Sequence, residues 1–264
     1  MSLEELLSRR TFLASAAGSV AVLAGSSLSS CDDINVPPSP CSIQGEKLVV
    51  VDSFKTPATG PIGLAWDGKY LWNSDDWEKK IFQLTTYGEV VHSISTFFEG
   101  EDYNPHPMGL AFDGTYLWCA DRDKKKLYQL TLEGTIVDVI PSPSDLPIGV
   151  AWDGEYLLVA DHPLNKVYKL TTAAEVVDEF SVPDPQAPSG LAGGAGSCLW
   201  GVAGGYSGDG KIRVYTDRLK EFLTFDAPAQ NALNVTWSDE GYLWLLDHPG
   251  KGTEKGTIYK LKIE

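Results

Sequence analysis

Gly63-Leu-Ala-Trp-Asp-Gly-Lys-Tyr-Leu-Trp72 returns as Gly109-Leu-Ala-Phe-Asp-Gly-Thr-Tyr-Leu-Trp118 and again as Gly149-Val-Ala-Trp-Asp-Gly-Glu-Tyr-Leu-Leu158. Worn copies run from Gly190 to Trp200 and from Asn234 to Trp244. The leading positions 63, 109, 149, 190 and 234 lie 46, 40, 41 and 44 residues apart. In each of the three sharp copies an apolar run meets Asp-Gly, a pair suited to a tight hairpin because glycine reaches positive φ at no steric cost. A four-strand unit repeated at this period is the signature of a β-propeller blade. The expected fold is all-β, a five-bladed β-propeller over residues 47–264.

In the first blade the pattern predicts strands over residues 62–66, 70–74, 80–85 and 89–94. The fourth blade is degenerate, with Gly193 standing where Trp66 stands in the first. The fifth has no outer strand of its own, while residues 47–54 (Lys-Leu-Val-Val-Val-Asp-Ser-Phe) precede the first repeat without a blade. Pairing that run with the C-terminal strand would close the ring and hide two sheet edges. Trp72, Trp118, Trp200 and Trp244 share one repeat position, taken by Leu158 in blade three. They are expected to pack between blades.

The hydrophobic fraction of 43%, with 8 Trp, 11 Tyr and 9 Phe, is enough to fill such a core. The formal charge is −15. Glu4, Glu5, Arg9 and Arg10 cancel, so the whole excess falls on the rest of the chain. A surface of this sign repels phosphate backbones, so nucleic acid is excluded as a partner. Cationic ligands are compatible with it, as is a purely solubilising role.

Ser8-Arg9-Arg10-Thr11-Phe12-Leu13 and the mildly apolar stretch to about Leu28 resemble a twin-arginine export signal. The stretch is too poor in strong hydrophobes to read as a stable membrane span. Leu28-Ser29-Ser30-Cys31 resembles a lipobox, which implies cleavage before Cys31 and lipid on its thiol. Residues 1–30 are then a signal peptide, and residues 31–46, with three prolines and no periodicity, are a tether. The implied location is the outer face of the cytoplasmic membrane or the periplasm, with membrane contact through the lipid alone. Of the other cysteines, Cys119 and Cys198 fall in non-adjacent blades and are not expected to bridge. Cys41 on the tether could reach one of them. The spacings match no zinc motif.

In a propeller, the loops entering the inner strand and those joining strands two and three share one face. Here that face collects Asp75, Trp77, Asp121, Asp161, His162, Asp247 and His248. The insertion 96–107 adds Tyr103 and His106, as either a pocket lid or a plug over the channel. Asp75, Asp121, Asp161 and Asp247 end the second strand in four blades. Such a ring could hold a hard cation or an amine, or the carboxylates could accept turn N–H groups. Asp161-His162-Pro163 and Asp247-His248-Pro249 are matching tripeptides. With His106 their imidazoles could ligate zinc, or sit as solvated turn residues. One divalent cation in the central channel, zinc or calcium, is the cofactor compatible with these residues. The expected partner is a protein, peptide or small-molecule ligand on the channel-mouth face. Gly205-Tyr-Ser-Gly-Asp-Gly-Lys211 has the letters of a phosphate-binding loop. Ile212 follows where Ser or Thr would ligate magnesium, and the run lies between strands.

The repeat resembles the NHL and YWTD propeller repeats across residues 47–264. The blade count is similar to that of the plant-type glutaminyl cyclotransferases, secreted enzymes that close N-terminal glutamine to pyroglutamate. In that family the inner strand begins Thr-Gln-Gly, and the second strand carries Phe-Glu-Ser-Thr-Gly with its glutamate implicated in proton transfer. This chain has Pro61-Ile62-Gly63 and Trp72-Asn73-Ser74-Asp75 at those places, and Asn73 cannot act as a general acid or base. Two functions therefore stand. One is a lipid-anchored binding module for a protein, peptide or glycan. The other is an exported enzyme, cyclotransferase-like or a metal-dependent lactonase or lyase of the gluconolactonase type.

Overall fold

A computed structural model describes residues 45, 47–96, 105–161, 163–182, 188–194, 198–202, 210–215, 221–250 and 253–264. The expected signal peptide, Cys31, Cys41, Tyr103 and His162 lie outside them. Twenty strands form five four-stranded antiparallel sheets of a β-propeller. First comes β1 (Leu48–Lys55). Blade one holds β2 (Pro61–Trp66), β3 (Leu71–Asp75), β4 (Lys80–Leu84) and β5 (Val90–Ser95). Blade two holds β6 (Pro107–Phe112), β7 (Leu117–Asp121), β8 (Lys126–Leu130) and β9 (Ile136–Pro141). Blade three holds β10 (Pro147–Trp152), β11 (Leu157–Asp161), β12 (Lys166–Leu170) and β13 (Val176–Ser181). Blade four holds β14 (Gly190–Gly194), β15 (Cys198–Val202), β16 (Lys211–Tyr215) and β17 (Glu221–Asp226). Blade five holds β18 (Ala232–Trp237), β19 (Leu243–Asp247) and β20 (Thr257–Ile263).

Four sheets are built from consecutive strands; the fifth is composite, in the order β1-β20-β19-β18. There β1 pairs with β20 from Leu48↔Ile263 to Lys55↔Thr257, and Lys47 and Glu264 exchange two backbone hydrogen bonds of 3.0 Å. The strand without a blade is thus the outer strand of the last one. The inner strands β2, β6, β10, β14 and β18 adjoin in that order, and β18 returns to β2.

Burial follows this layering. The second strands β3, β7 and β11 are buried along their whole length, because each faces a neighbouring sheet on both sides. The outer strand β5 is exposed at every residue but Ile94. Trp72, Trp118 and Trp244 are each 0% exposed. Trp72 packs with Leu110, Leu117 and Tyr128 of blade two, and Trp118 with Val150, Leu157 and Tyr168 of blade three. Trp244 packs with Leu64, Leu71 and Leu84 of blade one, across the closure. Indoles of this kind bury on the order of 150–250 Å² each, making them the largest apolar contributors between sheets. Cys119 in β7 is a free, buried thiol, its pKa pushed up by burial.

The repeated Asp-Gly has a second task besides turning the chain. Asp67 Oδ1 accepts the N–H groups of Lys69 and Tyr70 (2.8 and 2.7 Å), while Oδ2 accepts the indole N–H of Trp72 at 2.8 Å. Asp113 does the same for Thr115, Tyr116 and Trp118 (2.8, 2.7 and 2.7 Å). Gly68 and Gly114 follow at φ +95° and +97°, which a side chain would strain. In blade three, where Leu158 replaces the tryptophan, Asp153 Oδ2 instead pairs with Lys169 at 2.8 Å.

Candidate functional site

The loops entering the inner strands and the turns after the second strands do share one face. Gly60, just before β2, donates its N–H to Asp75 Oδ2 (2.8 Å), and its carbonyl accepts from Asp76 N (2.8 Å). Asp75 Oδ1 also accepts from Trp77 N and Glu78 N (3.0 and 2.8 Å). Asp121 accepts from Asp123 N and Lys124 N (3.0 and 3.3 Å), and Asp161 from Asp145 N and Leu164 N (both 3.1 Å). These three carboxylates are buried and anchor the turn that follows their strand. Burial pushes the Asp121 carboxyl up, partly offset by the N–H groups of Lys124 and Asp123.

Asp247 shares one feature with Asp121: Asp247 Oδ1 and Asp121 Oδ2 are buried without a hydrogen-bond partner, and burial raises the Asp247 carboxyl pKa against the backbone of Asn231 and the charge of Lys55. His248 beside it is buried. Its Nδ1 accepts from Gly250 N (3.1 Å), which leaves the proton of the neutral ring on Nε2. Burial lowers its pKa, opposed by the charge of Asp75 across the blade five–blade one junction. His106 lies at the next junction, with Nδ1 2.6 Å from Asp76 Oδ1 and Nε2 3.6 Å from Asp123 Oδ2. Lys79 joins Asp76 at 3.0 Å, and Arg122 joins Asp123 at 3.0 Å. Trp77, one residue from Asp76, is 55% exposed.

The structure therefore sorts the expected site residues into pairs at junctions, His106 near Asp76 and His248 near Asp75. Among the described residues it does not gather them into one constellation, and Asp161 is tied to its own blade. Among the described residues no three His, Cys, Asp or Glu side chains stand close enough to hold a metal ion. The expected zinc or calcium therefore has no ligand set among them.

Asn73, at the place of the cyclotransferase glutamate, is fully buried. Its amide nitrogen donates to the carbonyls of Gly63 (3.0 Å) and Ser74 (3.2 Å). Ser74 Oγ accepts from Gly63 N (2.8 Å) and donates to Met108 O (2.6 Å), joining blade one to blade two. Both residues hold the wall of the channel together.

At the opposite end of the inner strands lies a feature the sequence reading passed over. A cavity of about 60 Å³, open to solvent at its mouth, is lined by all five inner strands. It is lined by Ala65, Ala111, Ala151, Ala192 and Thr236 together with Trp66, Phe112, Trp152, Gly193 and Trp237. The signal was present in the sequence: position 66 of the repeat is aromatic in four copies and glycine in one.

No family model matches the chain, and no curated protein matches it in sequence. Solved structures do match in fold. The glutaminyl cyclase of Myxococcus xanthus superposes with a TM-score of 0.66 at 12% identity, covering 82% of this chain and 96% of that one. The WD40 repeats of RRP9 give 0.54 at 12% identity over 83% and 99%. A chain of a nidogen–laminin complex gives 0.51 at 18% over 72% and 73%. At these identities the likeness is one of fold: the chain is a β-propeller similar in architecture to a glutaminyl cyclase, to a set of WD40 repeats and to a chain of a nidogen–laminin complex.

Proposed function

We propose that this propeller is a binding module which takes a protein, peptide or glycan on the face formed by the turns after the second strands. One observation carries the reading. On that face Asp75, Asp121 and Asp161 each accept turn N–H groups and the amide nitrogen of Asn73 donates to the wall, whereas the indole of Trp77 stands open to solvent. A large exposed aromatic beside a charged cluster suits a contact surface, and half-exposed Trp side chains are frequent anchors of interfaces. The nidogen–laminin neighbour, a propeller named in a protein complex, supports a protein partner by analogy of fold alone. The reading includes export by the twin-arginine route and lipid on Cys31, which rest on the motifs at residues 8–13 and 28–31.

The alternative, catalysis, is favoured by Asp247, which like Asp121 combines an unpartnered buried oxygen with a raised pKa, conditions found in general acids. One experiment separates the two. The purified full chain is assayed for cyclisation of glutaminyl peptides and screened on peptide and glycan arrays, alongside Trp77→Ala and Asp247→Asn. The binding reading expects no turnover and array signals that fall about tenfold in Trp77→Ala. Turnover abolished by Asp247→Asn and untouched by Trp77→Ala would replace it with the catalytic one. Radiolabelled fatty-acid incorporation lost in Cys31→Ala tests the anchor.

A further inference from the structure

Resting on the binding reading above, we infer that the indole of Trp77 is a fixed platform for an arginine side chain, and that the partner is a protein or peptide with a basic segment. Blades one to three share the frame around this spot. Pro61, Pro107 and Pro147 open their inner strands opposite Asp75, Asp121 and Asp161. The turn after each aspartate ends on a residue of left-handed backbone, Lys79, Lys125 or Asn165, at φ 53°, 54° and 50°. Within that frame, the residue before the proline meets the residue two places after the aspartate in blades one and two. In blade two these are His106 and Asp123, with Nε2 3.6 Å from Oδ2. In blade one they are Gly60 and Trp77.

A Cβ on Gly60 would fall 2.7 Å from Cγ and 2.9 Å from Cδ1 of that indole. Cγ carries its own substituent in the ring plane, so an atom this near to it approaches over a face. One face of Trp77 is therefore seated on the glycine backbone, and the exposed part is the opposite face and the edge of the ring. The seat is itself held, since Gly60 N donates to Asp75 Oδ2 and its carbonyl accepts from Asp76 N. Glycine and tryptophan depart from the repeat together, although the turn common to these blades requires neither. A platform fixed before binding loses little freedom when a partner arrives.

Charge selects the occupant. Asp76 and Glu78 flank Trp77, where blade two has Arg122 and Lys124. Asp76 is engaged by Lys79 and His106. Glu78 is the open carboxylate, its side chain 54% exposed and 3.6 Å from Lys80, a pair weak enough to exchange. A guanidinium stacks flat on an indole, is weakly hydrated, and can present its forked N–H donors to a carboxylate alongside. The net charge of −15 draws such a partner from a distance. A neutral sugar ring would stack on the same indole without drawing on any of this charge.

The test titrates the full chain with acetyl-Ala-Arg-Ala-Arg-Ala-amide at matched ionic strength, reading heat and the indole N–H resonance of Trp77. The same peptide with citrulline for arginine keeps the shape and removes the charge; a lysine version keeps the charge and removes the plane. Chitohexaose is the glycan arm. Melting curves confirm that Trp77→Ala, Gly60→Ala and Glu78→Lys are folded. The expected result is saturable binding of the arginine peptide, weakened about tenfold by citrulline and by Trp77→Ala. Binding should also weaken with lysine, in Glu78→Lys, and in Gly60→Ala, which keeps the indole but removes its seat. Should Gly60→Ala fail to fold, Trp77→Ala and Glu78→Lys decide. Equal affinity for the citrulline peptide, no saturable response to the arginine peptide, or Trp77-dependent binding of chitohexaose in its place overturns the arginine partner and leaves the binding face standing. Arginine-peptide binding untouched by Trp77→Ala overturns both.

Discussion

In blade two the indole of Trp118 is fully buried and its N–H donates to Asp113 at 2.7 Å. In blade five Trp244 is equally buried, yet its Nε1 has no hydrogen-bond partner. The difference begins in the hairpin. Ser238 stands where the aspartate stands, and the turn to Tyr242 is one residue longer than Asp113 to Tyr116. Ser238 Oγ exchanges contacts with the backbone of Tyr242 (3.2 and 3.3 Å) but its side chain is too short to reach the indole as Asp113 does. Blade five compensates by packing: Phe54 lies 6.2 Å from Trp244 between ring centres, and Lys260 lies 5.2 Å from it. The same burial is therefore held by a polar anchor in one blade and by neighbouring rings and a cation in the other.

The comparison can be broken most severely at the indole itself. Trp118→Ala should destabilise the domain by about 3–5 kcal/mol, read as a cooperative drop in denaturant midpoint. A variant that unfolds like the parent would remove the tryptophans from the core. Next, Asp113→Ala strips the turn of its acceptor and leaves a buried indole N–H unpaired, at a cost of about 1–3 kcal/mol. The matching change at Ser238 should cost less, which calorimetry on the two variants would reveal. Conversely, Ser238→Asp should give Trp244 the partner it lacks and stabilise by about 0.5–1.5 kcal/mol. A loss of stability there would mean that the longer turn cannot present a carboxylate.

The smallest effect concerns pH. His248 in blade five is held below its ordinary value of 6.5 by burial, and Arg122 fills the matching position of blade two. The unfolded chain binds that proton more readily than the folded one. Stability should be full above pH 6.5 and decline as pH falls from 6.5 through the folded-state value. Asp121 and Asp247 act in the opposite sense, with pKa values raised from 3.8, so their contribution weakens as pH rises from there. One of them sits in each blade. His248→Gln should flatten the slope of stability below pH 6.5, whereas Arg122→Gln should not.

Much of the fold was legible because each repeated residue meets the same geometric demand in each blade. Asp67-Gly68 and Asp113-Gly114 mark turns, and residues 47–54 read as a strand because an apolar run had no blade of its own. The site was harder to read. Asp75, Asp121 and Asp161 are repeated, and repetition by itself does not separate a turn anchor from a ligand; only the N–H groups around them do. His106 and His248 share a face but stand at different junctions, a separation fixed by the radius of the ring rather than by spacing. The aromatics beside the cavity were missed for a related reason: Trp66, Phe112, Trp152 and Trp237 lie 40 to 85 residues apart along the chain yet line one cavity.

The pairing of Leu48 with Ile263 also bears on how the chain reaches its native state. Contacts so remote along the polypeptide lower the rate of folding, because a long loop must be ordered before they form. Until β20 has left the ribosome, blade five lacks two of its four strands, and Trp244 lacks its ring neighbour from β1. A nascent chain can assemble blades one to four yet leave them an open arc with unpaired edges, the kind of surface that chaperones shield. Closure of the ring is thus timed by the emergence of the seven-residue strand β20.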